Sequence, residues 1–424
     1  MKLRVTPFEH QQEFIRFSLK NDYTLLGDEM GLGKTLSSIG VSVAMATGHT
    51  MHSGNPSGCR TLVVCPAFLR HNWRAEIDKF VEGNEGMFEV VSYSQLKKPA
   101  VRDAFKIADH VIFDESHYLK NLESQRTRYA HEYIRANTPE RLTLLTGTAI
   151  KNNVVEFYSL LKLLSYCPSH RNGKSIYPRF RTSGQFGRHF SNEIVRKINV
   201  RGRKVEIRKF EGVKNGEELK SYFRGKYMRR LTKQVINLPE LMDKYVECNY
   251  KFNDKELANY EKFKGKIEGH IMAIKRGSAM AKANFTADYA KGIFEEVGRP
   301  VVIFSDHVDP VHTITSKLKR AASITGSTPM SERHTIVQDF QSGKLDYVVA
   351  TIGAASTGIT LTASSDLVFN DMSYVPADNA QASKRIHRIG QGNICRIHKI
   401  VGSAVDRSVM ESLQSKQQVI DKVL

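Results

Sequence analysis

The string Gly27-Asp-Glu-Met-Gly-Leu-Gly-Lys-Thr35 constrains this chain more than any other feature. It follows the short apolar run 24–27 and opens a stretch of helical length, 34–46. Glycines such as Gly31 and Gly33 let successive backbone N–H groups close around phosphates, and the start of a helix adds a favourable dipole. In that cradle Lys34 is placed on the β- and γ-phosphates of a nucleotide and Thr35 on a magnesium ion. The strict pattern asks for glycine where Asp28 stands, so the string departs from it by one residue.

Around this loop, short apolar runs alternate with helical stretches. The runs 24–27, 61–66, 88–93, 110–115 and 142–147 are continuous rather than alternating, as expected of strands buried on both faces. Between them lie 34–46, 70–81 and 124–136. The same alternation returns with runs at 300–305, 322–325, 346–351, 366–371 and 395–401. The expectation is an α/β protein of two lobes, each a parallel sheet covered by helices. Between the two blocks, 168–235 carries few apolar runs and reads as a basic surface insertion, and 253–298 as charged helices. Val405, Val409 and Leu413 place a packed helix at the end. The lobes are expected at 1–245 and 246–424.

Composition narrows the partners. Hydrophobic residues make up 41% and charged residues 25%, as in ordinary globular chains. No apolar run approaches the length of a membrane span, and the start of the chain lacks the apolar segment of a secretion signal. The five cysteines show no CxxC spacing, which fits a soluble protein of a reducing, intracellular compartment. Charge is the informative quantity: 63 Lys+Arg against 44 Asp+Glu give a net +19. From Arg196 to Val235 there are 14 basic and 4 acidic residues, so +10 of that excess lies in 40 residues. Such a concentration points to a polyanion.

Two further groupings carry chemistry. Asp114-Glu-Ser-His117 ends the apolar run 110–113, and the carboxyl end of a buried strand is where a sheet presents groups to a ligand. Asp114 suits a magnesium ion and Glu115 the deprotonation of an attacking water. In the second block Gln381, Arg385 and Arg388 are spaced by four and three, which predicts one helix face. Arginines so placed could stabilise charge in a phosphoryl-transfer transition state.

Together these strings resemble the Swi/Snf family of helicase-like ATPases, within helicase superfamily two. HQQEF (10–14) is similar to an adenine-reading glutamine motif, with Gln11 in that role. LVVCPAFLRHNW (62–73) resembles a strand-contacting motif ending in Trp73, and LLTGTAIKNN (144–153) a coupling motif. MRRLTKQVINLP (228–239) looks like an Arg-rich hinge. VIFSDH, ITGSTPMSER, ATIGAASTGITLTAS and RIHRIGQ follow in family order through the second lobe. Ala149 departs from a usual proline, and Tyr374-Val-Pro from Trp-Asn-Pro. DESH, TGTA and a compact second lobe look closest to the annealing or fork-remodelling branch.

The resemblance implies two RecA-like lobes with ATP and Mg²⁺ in the cleft between them. It makes Lys34, Asp114, Glu115, Arg385 and Arg388 catalytic, and gives ATP contacts to Gln11, Gly31, Gly33, Lys34, Thr35 and Gln381. The implied partner is duplex or branched DNA, tracked without strand separation. Trp73 and the basic residues Arg201, Arg203, Lys204 and Arg208 are the expected nucleic-acid contacts. A strand-separating helicase on DNA or RNA, and a nucleotide-gated module that does not hydrolyse, are the alternative readings. The intact acid and arginine set argues against the last.

Overall fold

The computed structural model describes residues 2–48, 59–147, 154–168, 174–200, 203–248, 268–355 and 359–423. The chain divides into two compact units, the first built on residues up to Val235 and the second on Ile236–Gln417.

The first unit holds a six-stranded sheet. Its spatial order is Tyr227–Met228, Tyr23–Leu26, Arg141–Leu145, His110–Phe113, Thr61–Cys65 and Phe88–Ser92, all parallel. Successive side chains on a strand point to opposite faces. Accordingly Leu62 and Val64 join one apolar cluster with Val111, Phe113, Leu142 and Leu144, while Val63 and Cys65 join another with Ile112 and Leu145. Both faces are dry, which is why the strands read as unbroken apolar runs. The helices Lys34–Ala46, Arg70–Phe80 and Gln125–Asn137 fall where the sequence predicts them.

The second unit repeats the plan. Its six strands run Leu241–Glu247, Cys395–Val401, Asp366–Phe369, Val301–Ser305, Tyr347–Thr351 and Ala321–Ile324, again all parallel. Val302 and Phe304 face one cluster and Val301 and Ile303 the other. Leu241–Glu247 pairs with Cys395–Val401 along its full length, so the division falls after Val235 and not at residue 245. This edge strand leaves most of its side chains exposed, which is why no apolar run announces it. Among the described residues no helix is long and apolar enough to cross a membrane.

The region 168–235 corrects the expectation of a surface insertion. Ile176, Phe180, Phe186, Phe190, Leu219, Tyr222 and Phe223 are buried in the same cluster as the first sheet. Phe180 sits 5.6 Å from Phe186 and 5.3 Å from Phe190, centre to centre. The antiparallel hairpin of Asn192–Val200 and Arg203–Glu211 forms a separate two-stranded sheet. The apolar residues of this region lie apart in sequence among basic ones and meet only in the folded chain.

Phe186→Ala should therefore lower unfolding free energy by about 3–5 kcal/mol, the range for emptying a packed aromatic site. Urea titration followed by far-UV circular dichroism reads this directly. A loss within experimental error would return the region to the surface.

Candidate active site

The loop after Tyr23–Leu26 has the conformation that its glycines predict. Gly31 and Gly33 take φ of 91° and 74°, a region costly for any residue with a Cβ. A Cβ at Gly33 would also run into the side-chain amide of Gln11. Gly33 caps the helix Lys34–Ala46 without a side-chain hydrogen bond, leaving backbone donors of the first turn for a ligand. Gln11 is buried against this loop: its Nε2 donates to Leu32 O at 3.2 Å, and its Oε1 accepts from Phe8 N at 2.9 Å. Lys34 Nζ donates to Asp28 O at 2.8 Å. Burial lowers the Lys34 pKa, and Glu115, Asp28, Asp114 and Glu29 oppose that shift.

Asp114 and Glu115 follow His110–Phe113 at the same edge of the sheet as the loop. Burial, and next the charge of Glu115, push the Asp114 carboxyl up to about 6. Two bonds pull the other way: Trp73 Nε1 donates to Asp114 Oδ2 at 2.7 Å, and Glu115 N donates to Asp114 Oδ1 at 2.8 Å. Glu115 has φ 49° and ψ 49°, a left-handed conformation uncommon for a non-glycine residue. Its Oε2 lies 3.1 Å from His117 Nδ1, and His117 Nδ1 lies 3.5 Å from Thr146 Oγ1. His117 thus lies between the carboxylate of Glu115 and the hydroxyl of Thr146.

Trp73 is 1% exposed and belongs to the first unit's core, where its indole bonds the carboxylate of Asp114. A lone tryptophan in a strand-contacting string gives no sign of this, because its partner is 41 residues away.

Arg230 was not among the sequence candidates. The carboxylate of Asp28, fully buried, receives Arg230 Nη2 on Oδ2 at 2.6 Å and Arg230 Nε on Oδ1 at 3.1 Å. Arg230 N adds a third bond at 3.0 Å, and Nη1 reaches Glu13 Oε2 at 3.0 Å and the carbonyl of His10. Glu29 Oε2 accepts from Thr232 N at 2.7 Å. The residue that departs from the phosphate-loop pattern is therefore a ligand for the Arg-rich segment.

In the second unit the expected single helix face is not formed. The helix Pro376–Ser383 contains Gln381 and ends before Arg385 and Arg388, which lie on the turns that follow. Gln391 fastens the segment that follows: its Nε2 donates to Ile386 O at 3.1 Å and Ser364 O at 2.8 Å. Gly390, at φ 99°, turns the chain beside it. Gln381 and Arg385 are buried and Arg388 is half-buried.

The expected nucleic-acid residues divide. Arg201 lies outside the described residues, as do 148–153 of the coupling motif and 356–358 of the second-lobe string. Arg203 and Lys204 sit on the hairpin strand opposite Val200 and Asn199. Arg208 is exposed and shares Glu193 Oε1 at 3.2 Å across the hairpin.

Comparison with known proteins gives the family. A family model described as an SNF2-related domain matches residues 10–107 and 89–296, and a helicase conserved C-terminal domain matches 285–390. The chain is 27% identical to the DNA annealing helicase and endonuclease ZRANB3 of Bos taurus, over 100% of this chain and 41% of that protein. It is 26% identical to the SWI/SNF-related matrix-associated actin-dependent regulator of chromatin subfamily A-like protein 1 homolog of Caenorhabditis elegans, over 98% of this chain and 61% of the relative. It thus spans about half the length of these relatives. The Sulfolobus solfataricus SWI2/SNF2 ATPase core in complex with dsDNA is 19% identical, with a TM-score of 0.43, covering 100% of this chain and 97% of that one.

Trp73→Phe removes a bond that favours the charged form of Asp114, so the carboxyl should become harder to ionise. The acid limb of the hydrolysis rate should move up by about one pH unit, the scale of a lost charge-assisted hydrogen bond. A pH–rate profile checks this. An unmoved limb with a uniform loss of rate would reduce Trp73 to packing alone.

Proposed function

Because the chain belongs to the SNF2-related family and is an ATP-hydrolysing enzyme, we propose that it spends hydrolysis on moving along duplex DNA without parting the strands. The observation that carries this reading is how Asp114 is held. Its carboxylate is bonded by Trp73 of the segment after Thr61–Cys65, and its carbonyl accepts from Tyr93 Oη, after Phe88–Ser92, at 2.8 Å. An acid tied to two neighbouring strand-end segments can sense whatever those segments bind.

In this reading Lys34 and the first turn of Lys34–Ala46 bind the phosphates, and Gln11 holds the loop beneath them. Thr35 and Asp114 offer a hydroxyl and a carboxylate, hard oxygen donors of the kind Mg²⁺ takes. The raised pKa of Asp114 marks buried negative charge that a cation would offset. Bound there, Mg²⁺ would neutralise charge on the phosphates. Glu115 takes the proton of the water that attacks the γ-phosphorus, the bond to the bridging oxygen breaks, and ADP leaves with that oxygen. His117 positions Glu115. The family resemblance gives Arg385 and Arg388 the role of transition-state cations and Gln381 that of an ATP contact.

The hairpin 192–211 suits a phosphate backbone: it carries seven basic residues against Glu193, Glu206 and Glu211. Strand separation calls for an apolar wedge that unstacks bases, and a basic hairpin grips phosphates instead.

Incubated with ATP, the protein should displace a third strand from a triplex while leaving a tailed duplex intact. Glu115→Gln should bind ATP with near-normal affinity and displace nothing. Efficient unwinding of the tailed duplex, with the triplex left whole, would replace this reading by a true helicase.

A further inference from the structure

The strand Phe88–Ser92 ends the first sheet on one side, and among the described residues it pairs with Thr61–Cys65 alone. Its two faces are nonetheless covered. Ile77 of the helix Arg70–Phe80 shares one apolar cluster with Val90, and Val101 of the helix Pro99–Ile107 shares the opposite one with Val91. Both helices and the strand residues Phe88 to Val91 line a groove of about 600 Å³ along the free side of the strand. That volume lies in the range of clefts that hold ligands. A chain laid there would extend the sheet and be covered on both faces.

The groove also offers main-chain groups. Thr61 N donates to Met87 O at 2.7 Å, and the register sets Thr61 against Phe88. Backbone groups alternate in direction along a strand, so Glu89 and Val91 turn theirs toward Thr61–Cys65 while Phe88 and Val90 turn theirs into the groove. Ser92 faces the same way, and Gln95 Oε1 accepts its N–H at 2.9 Å. No such cap reaches Phe88 or Val90 among the described residues. A row of this kind is what an incoming extended chain pairs with.

Charge along the groove is sorted. Arg70 and Lys98 line it beside the carboxyl end of the strand, and Glu85 and Glu89 beside the amino end. Arg74 and Asp78 follow the same order on the helix; one turn apart, they form no ion pair with each other among the described residues. Arg70 keeps its Nε buried without a hydrogen-bond partner. Opposite charges held apart in this way select an occupant whose own charges run in the complementary order.

We propose that this edge binds an extended segment of a partner protein as an added strand, acidic where it passes Arg70 and Lys98 and basic where it passes Glu85 and Glu89. Antiparallel pairing is slightly the more stable per residue, so the acidic end of the segment is its amino end. Main-chain bonds to Phe88 and Val90 hold the segment, Ile77 and Val101 cover its two faces, and the charged ends fix its direction. None of the lining residues belongs to the nucleotide site, so the contact tethers the motor without entering hydrolysis.

The test titrates the full chain into end-blocked fluorescent heptapeptides and follows their anisotropy. EVTVTVK should bind about fivefold more tightly than KVTVTVE, which has the same composition in the opposite direction; that is the scale of a well-placed exposed ion pair. The fully N-methylated EVTVTVK should not bind. On binding of EVTVTVK, the amides of Phe88 and Val90 should gain protection from hydrogen exchange, and that of Ser92 should not. The double variant Glu85→Lys/Glu89→Lys should prefer EVTVTVE to EVTVTVK, with ATP hydrolysis unchanged. Equal affinity for the two directions, or binding that survives N-methylation, overturns the added strand. Displacement of EVTVTVK by a blunt DNA duplex would give the groove to nucleic acid, and a dimer of the chain dissolved by the double variant would give it to a second copy. Either result overturns the partner segment, as does a failure of every peptide to bind.

Discussion

The ion pair between Asp28 and Arg230 is the constraint on which the first unit's active site depends. A fully buried carboxylate is tolerable only with a partner and satisfied hydrogen bonds, and Arg230 supplies both. The pair joins residues 202 apart, so the phosphate loop cannot reach its final shape until the segment 226–232 has docked. Backbone bonds complete the dock: Gly27 N donates to Met228 O at 2.8 Å and Glu29 N to Arg230 O at 2.9 Å. A Cβ at Gly27 would collide with the ring of Tyr227, so the glycine is required by this neighbour as much as by phosphates. The Arg-rich string thus holds the glycine-rich loop, and in sequence it lies just before the boundary between the two units.

A second dependence runs through Asp114. Four charged groups, Asp28, Lys34, Asp114 and Glu115, occupy one small volume with little water. Each is held by atoms from a different part of the chain. Arg230 holds Asp28, loop carbonyls hold Lys34, Trp73 and Tyr93 hold Asp114, and His117 holds Glu115. Low local dielectric strengthens such contacts and makes a missing one costly. A small movement of the segments carrying Trp73 or Tyr93 is therefore felt at Asp114.

How legible this was in the sequence follows burial. Sheet strands with two covered faces were plain, because such strands must be continuously apolar. Tyr227–Met228 and Leu241–Glu247 were not, because the first spans only two residues and the second leaves most of its side chains exposed. The glycine-rich loop, Lys34 and the acid pair are local strings with fixed chemistry, and they fold as their spacing suggests. Contacts made across long separations left no local trace: Trp73 to Asp114, Arg230 to Asp28, and the aromatic cluster around Phe186. The Arg385–Arg388 spacing misled because a helical period holds only while the helix lasts: after Ser383 the backbone tightens, Arg385 N donating to Ala382 O at 3.0 Å and Ile386 N to Ser383 O at 3.3 Å.

The central claim is that an intact duplex is the track along which hydrolysis is spent. Steady-state ATP hydrolysis with covalently closed, relaxed circular duplex DNA as the only nucleic acid tests it most directly, beside single-stranded circles of the same sequence. The account predicts that the closed duplex, which offers no end and no unpaired strand, stimulates turnover well above the single-stranded circle. Strong stimulation by the single strand, with none by the closed duplex, would contradict it.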